Sequence, residues 1–223
     1  MGGLSRTQIY VAENVLLDAR LALFHKRERW LAIADLHYGF ELSQRAAGRL
    51  VPMWGMESAS ARLLALIAEY TPERLIMVGD LVHDDAARAP LRELLTRVSE
   101  SCEVIAIAGN HDRKLRGIFE LRDSFRANAF EFHHGDCELT RSGYTQIIGH
   151  FHPAATLRDG AGLRLKFPAF VQEESCWILP AFSPWSAGTE WRKDDDGTRI
   201  WVCTPQRIFS PSFSQAGREI PAH

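Results

Sequence analysis

The chain is predicted to be an α/β protein built on a sheet with several parallel strands, and three observations carry that prediction. Apolar runs at residues 30–34, 75–78 and 104–108 each stop at a polar group: Asp35, Gly79-Asp80 and Gly109-Asn110. The second and third runs follow segments with helical spacing, residues 58–70 and 86–100. Strands that are apolar on every position are those buried on both faces. Alternation of such strands with helices implies parallel neighbours, and in these sheets functional side chains gather outside the carboxyl ends.

The remaining elements follow in order. Residues 9–17 and 20–25 suggest an opening hairpin or meander. Beyond the third strand, residues 130–133, 146–148, 163–167 and 200–203 are short β candidates separated by Gly, Asp and Pro. Long helical patterns are absent there, which points to a second, more antiparallel sheet. Asp194-Asp195-Asp196-Gly197 reads as a solvated hairpin turn. Residues 1–210 form one domain on this reading, and residues 211–223 have the composition of a mobile tail.

Composition narrows the class. With 46% hydrophobic and 24% charged residues in 223, the chain matches a soluble globular domain with a substantial core. No stretch approaches the roughly 20 apolar residues of a membrane span, and the N-terminus lacks an apolar signal core, so a cytoplasmic protein is expected. A net charge of -2 does not by itself demand nucleic acid. Cys102, Cys137, Cys176 and Cys203 form no Cys-x-x-Cys pair, which argues for reduced thiols rather than a zinc site.

The chemistry lies in an ordered series: Asp35-Leu36-His37, Gly79-Asp80-Leu81-Val82-His83-Asp84, Gly109-Asn110-His111-Asp112, His134-Gly135-Asp136 and Gly149-His150-Phe151-His152. Seven of nine histidines fall inside or beside it, while His25 and His223 read as surface residues. Each fragment alone is weak; together they describe a binuclear metal centre. Paired divalent ions about 3.5–4 Å apart clamp a phosphate and activate water, and they need a carboxylate that reaches both. Imidazole and carboxylate together suit Mn, Fe, Zn or Ni, whereas an all-oxygen shell suits Mg or Ca. His133 competes with His134 as a ligand, although strand alternation sends the two side chains to opposite faces.

The series resembles the calcineurin-like metallophosphoesterase superfamily over about residues 30–155. Gly79 to His83 and Gly109 to Asp112 are similar to SbcD-type repair nucleases. Ala34 to Gly39, Arg45 to Gly48, Val51-Pro52, Gly149 to Ala154 and Leu179 to Phe182 resemble the small bacterial phosphoesterases encoded beside DNA ligases and helicases. Where those proteins carry a basic residue after Asp-x-His-x-Gly, this chain has Phe40-Glu41.

The resemblance implies a four-layer α/β/β/α sandwich with two mixed β-sheets. It also implies that Asp35, His37 and His152 hold one metal, that Asn110, His134 and His150 hold the other, and that Asp80 bridges them. His111 would act on the phosphoryl or leaving oxygen, and Asp112 would orient it. The implied reaction is phosphodiester hydrolysis by a metal-activated hydroxide, with manganese as the first candidate ion and Zn, Fe, Ni or Mg as others. The implied substrate is a nucleic acid or nucleotide, with functional association with a DNA ligase or helicase. Arg45, Arg49, His83, Arg113, Lys114 and Arg116 are the candidate substrate contacts. A nucleotide-linked lipid or other small phosphate ester is the alternative substrate, and a metal-loaded scaffold without turnover is the alternative class.

Overall fold

The computed structural model describes residues 5–115, 117, 119–136, 143–158, 161–191 and 197–211, without the side chains of Arg113 and Lys114. The residue 194–196 turn, the residue 212–223 tail, Arg116, Cys137 and His223 therefore lie outside the described residues.

The chain opens with the meander β1 (Gln8–Ala12), β2 (Val15–Asp18) and β3 (Ala22–His25), then enters β4 (Trp30–Ala34). Helices α1 (Phe40–Ala46) and α2 (Gly55–Tyr70) lead to β5 (Arg74–Val78), and α3 (Arg88–Ser99) leads to β6 (Glu103–Ile107). β7 (Leu121–Arg122) closes a seven-stranded sheet ordered β1-β2-β3-β4-β5-β6-β7. β1 to β4 pair antiparallel and β4 to β7 pair parallel. β4 is buried at all five positions, which is why it reads as an uninterrupted apolar run. α2 buries Ala59, Leu63, Leu66 and Ile67, one stripe at helical spacing.

Two differences from the sequence reading arise here. Residues 85–87 form a separate 3₁₀ turn ahead of α3, because Asp84 accepts the Ala86 N–H and caps it. α1 has no apolar stripe to betray it: its one buried residue is Glu41.

The second sheet comprises β8 (Ser124–Ala127), β9 (Phe130–His133), β10 (Thr145–Ile148), β11 (Pro153–Arg158), β12 (Arg164–Glu173), β13 (Cys176–Ile178), β14 (Thr189–Glu190), β15 (Arg199–Cys203) and β16 (Ile208–Phe209). It is mixed, as the resemblance implies: β10 runs parallel to both β9 and β13, beside antiparallel pairs such as β11 with β12. Alternation divides its faces. Phe132, Ile147, Phe170, Trp177 and Trp201 join the main core with the first sheet and the helices, while Ile148, Ala169, Val171, Ile178, Ile200 and Val202 form a smaller cluster. The result is an α/β fold of two mixed sheets with helices.

One further correction concerns His25. It is buried, not superficial, with its ring against Trp30 and Phe130, and burial pushes its pKa down.

Candidate active site

Every motif of the series begins within two residues of a strand's end. Register aligns Ala34, Val78 and Ile107 across β4, β5 and β6, so the loops carrying Asp35, Asp80 and Asn110 leave the sheet side by side. His134 follows β9, and His150 and His152 lie between β10 and β11, on the parallel part of the second sheet. The sheets meet at this edge: Ala34 bridges Ala181, and the Phe182 N–H donates to the Ala34 carbonyl at 2.7 Å.

The local backbone is unusual. Asp35, His37, Asp80, His150 and His152 all adopt the left-handed conformation, with φ of 51°, 43°, 44°, 68° and 47°. Such conformations cost about 1–3 kcal/mol each in non-glycine residues and persist where surrounding bonds over-determine them. Those bonds are present. The His37 N–H donates to the Asp80 carbonyl at 2.9 Å, the His111 N–H to Asp80 Oδ1 at 3.0 Å, and the His150 N–H to Asp35 Oδ2 at 2.9 Å. Close approach also dictates two glycines: a Cβ on Gly79 would strike the His134 ring, and one on Gly109 would strike the Asp80 carboxylate.

Three donor groups result: Asp35, His37 and His152; Asp35, Asp80 and His134, sharing Asp35 with the first; and His37, His83 and His111, sharing His37 with the first; within each the donor atoms lie within 4.8 Å of one another. His37 Nε2 and His152 Nε2 are 3.3 Å apart, and His134 Nε2 is 3.0 Å from Asn110 Oδ1 and 3.2 Å from His150 Nδ1. Asp35 Oδ1 lies 3.5 Å from His152 and 3.7 Å from His134, within reach of both groups that contain it. Burial and neighbouring histidines push His37 down to about 3, which keeps its imidazole neutral and able to ligate. Burial raises Asp35, whereas His152 is raised because the Asp35 carboxylate outweighs its burial. The buried Nδ1 atoms of His37 and His134 have no hydrogen-bond partner. Imidazole nitrogens converging on the buried carboxylates of Asp35 and Asp80 are what divalent cations would satisfy, so the donor set fits them.

His111 is exposed at the rim of this cluster, with Nε2 4.0 Å from Asp80 Oδ2. Asp112, expected to orient His111, acts on the backbone around it. Its buried carboxylate instead accepts the N–H groups of Leu81 at 2.9 Å, Gly109 at 2.9 Å and Val82 at 3.3 Å, tying the β5 and β6 loops together. Burial pushes it up to about 6 against the pull of those amides. His83 stacks on His111, with ring centroids 5.7 Å apart. His133 bonds Gln146 on the sheet, outside all three donor groups. Arg45 and Arg49 are exposed, on and just after α1. Of the other basic candidates, Arg113 and Lys114 fall on the 3₁₀ turn at Asn110–Leu115 with undescribed side chains.

Two residues of the site, Ser186 and Trp185, were not singled out in the sequence, and Glu41 was noted there only as a departure. Ser186 Oγ lies 3.2 Å from His152 Nδ1 and fixes that ring's orientation. Glu41 accepts from Trp185 Nε1 at 3.0 Å beside the cleft. The signal for Glu41 was the Phe40-Glu41 pair where the resembled proteins carry a basic residue; Ser186 and Trp185 carried none.

The calcineurin-like phosphoesterase family profile matches residues 29–201. The chain belongs to that family. A solved structure of a Pseudomonas putida nuclease, MPE, is similar at 27% identity and a TM-score of 0.69, over 92% of this chain and 98% of that one. Yfce, a phosphoesterase from E. coli, aligns at 16% identity and a TM-score of 0.43, over 80% of this chain and 95% of that one. No curated protein gives a significant match. The protein is thus a metal-dependent phosphoesterase, and among its described residues no helix is long and apolar enough to cross a membrane.

Proposed function

We propose that this phosphoesterase is a two-metal phosphodiesterase acting on nucleic-acid or nucleotide phosphodiesters. The observation that carries the reading is Asp80, whose two oxygens face different histidines: Oδ2 is 3.8 Å from His37 Nε2, and Oδ1 is 3.6 Å from His134 Nε2. On this reading Asp35, His37 and His152 hold one ion, Asn110, His134 and His150 hold the other, and Asp80 touches both. The mixture of imidazole, carboxylate and amide oxygen supports manganese as the first candidate, with zinc, iron, nickel or magnesium as others.

Such ions, when bound, activate water and offset the charge that develops on phosphoryl oxygens. The protein's own groups do the rest. Asp112 clamps the loops that carry Asp80 and Asn110. Ser186 holds His152 in register. His111, exposed and anchored through its N–H on Asp80, is free to present its ring to the leaving oxygen as acid or electrostatic stabiliser.

The likeness to a nuclease over nearly the whole chain supports a nucleic-acid substrate, as do exposed Arg45 and Arg49. A cytoplasmic location, one domain over residues 1–210 and work beside a DNA ligase or helicase accord with that role. One observation favours a second reading, hydrolysis of nucleotide-linked lipids: Leu50, Met53 and Trp54 are exposed apolar side chains in one segment.

The test is turnover by metal-stripped protein reloaded with Mn, Zn, Ni or Mg, on an activated diester, a monoester and single-stranded DNA. Hydrolysis of the diester and the DNA is expected. Turnover of the monoester alone would overturn the diesterase reading, and full metal content without any turnover would make the protein a scaffold.

A further inference from the structure

A file of rings leads from the metal-binding cluster to the surface. His37 meets His111 at 5.2 Å between centroids, and His111 stacks on His83 at 5.7 Å. His83 meets Phe40 edge-on at 4.9 Å, and Phe40 lies over Trp185 at 5.7 Å and 30°. Trp185 in turn packs on Trp54 at 4.9 Å and 33°, and Trp54 is 48% exposed.

Core packing does not account for this file, because its outer end is held in place at the surface. Glu41, 1% exposed, accepts from Trp185 Nε1 at 3.0 Å and from the Met56 N–H at 2.6 Å. Gly55 makes the room, since a Cβ there would strike Trp185 Nε1. Burying a carboxylate is costly unless its hydrogen bonds are strong. What this one secures is an indole and the first turn of α2, the helix that Trp54 precedes. Two tryptophans are thereby presented with little freedom left to lose on binding. Arg45 and Arg49 stand exposed on the stretch of chain that leads to Trp54, a basic and aromatic combination suited to a phosphate backbone with free bases.

Resting on the phosphodiesterase reading above, we propose that Trp54, backed by Trp185 and Phe40, is the stacking platform at the outer end of a track for a single nucleic-acid strand, whose unpaired base it takes while the scissile phosphate lies at the metal cluster. Bases in a duplex already stack on one another, so the track selects single-stranded or frayed substrate. Stacking on aromatic rings accepts any base, so cleavage should show little sequence preference.

The experiment compares manganese-loaded protein on a short oligothymidylate strand and on an abasic strand of equal length and charge. The thymidylate should have the lower KM. Trp54→Ala should raise that KM about 5- to 100-fold, the effect of losing one stacked base, and close the gap to the abasic strand. Trp54→Phe, which keeps a ring, should restore most of it. If both strands share one KM, or if Trp54→Ala harms both equally, the track is wrong while the phosphodiesterase reading stands. If neither strand is cut while an activated diester still turns over, the nucleic-acid reading falls as well. If Trp54→Ala leaves thymidylate kinetics intact but abolishes binding to phosphatidylcholine–phosphatidylglycerol vesicles, the file is a lipid-facing surface and the proposal is overturned.

Discussion

The two sheets bring different chemistry to one cleft. The ends of β4, β5 and β6 supply oxygens from Asp35, Asp80 and Asn110, with His37 beside them, whereas the ends of β9 and β10 supply only the imidazoles of His134, His150 and His152. The oxygen side is tied into the fold: carboxylates of Asp35, Asp80 and Asp112 accept backbone N–H groups from His150, His111, Leu81, Val82 and Gly109. The imidazole side has side-chain contacts instead, Ser186 on His152 and Asn110 on His134, and each side keeps one buried Nδ1 without a partner, in His37 and in His134. The oxygen side is therefore preorganised by backbone hydrogen bonds, while bound ions would complete the imidazole side. Substitutions on the two sides should fail in different ways.

The largest contrast lies with His111, which sits by the oxygen side yet is proposed to bind no metal. His111→Ala should lower turnover by about 10²–10⁴-fold, the usual contribution of a general acid. Elemental analysis of that variant should find both ions still present; loss of metal would make His111 a ligand and move it into the cradle.

A smaller effect separates structure from ligation. Asp112→Ala leaves buried amides without an acceptor, which costs about 1–3 kcal/mol of stability, read by urea unfolding of the metal-free protein. His150→Ala, a half-buried ring on the imidazole side, should cost less there and show its effect in metal affinity instead. Equal losses in the two variants would erase the distinction between the sides.

The smallest effect concerns acid. Asp18, on β2 and outside the cleft, is fully buried, and burial would raise its pKa. Hydrogen bonds from Arg20 and Tyr70 outweigh burial and hold the carboxyl below its ordinary value. A depressed folded-state pKa adds stability that is present above the unfolded value of about 3.9 and is lost as pH falls through the folded one. Asp18→Asn should remove that dependence from acid-unfolding curves below about pH 4 without altering metal binding. An unchanged acid limb would show that Arg20 and Tyr70 contribute nothing measurable.

The same contrast between the sheets governs what the sequence reveals. β4, β5 and β6 are legible because burial on both faces forces continuous apolar runs, and each ends in a residue whose type announces its chemistry. β7, β14 and β16 are two residues long and carry no pattern to read. The choice of His134 over His133 follows from alternation along β9, and the structure brings His134 into the cluster. Asp112 and Glu41 resist sequence reasoning for a physical reason. Both are buried carboxylates whose principal partners include backbone amides, and which amide comes within reach depends on how loops distant in sequence meet. The left-handed backbone at five candidate ligands is equally silent, since nothing in Asp or His requires it.

The bridging role of Asp80 is tested most directly by counting metal in Asp80→Ala and His152→Ala beside the parent protein, each loaded with manganese and dialysed. Asp80 faces a histidine of each proposed ion site, so its loss should remove more than one equivalent and abolish turnover, while His152→Ala should empty a single site. Retention of both ions by Asp80→Ala would contradict the bridge and return that role to Asp35, whose Oδ1 also lies within 3.7 Å of both His152 and His134.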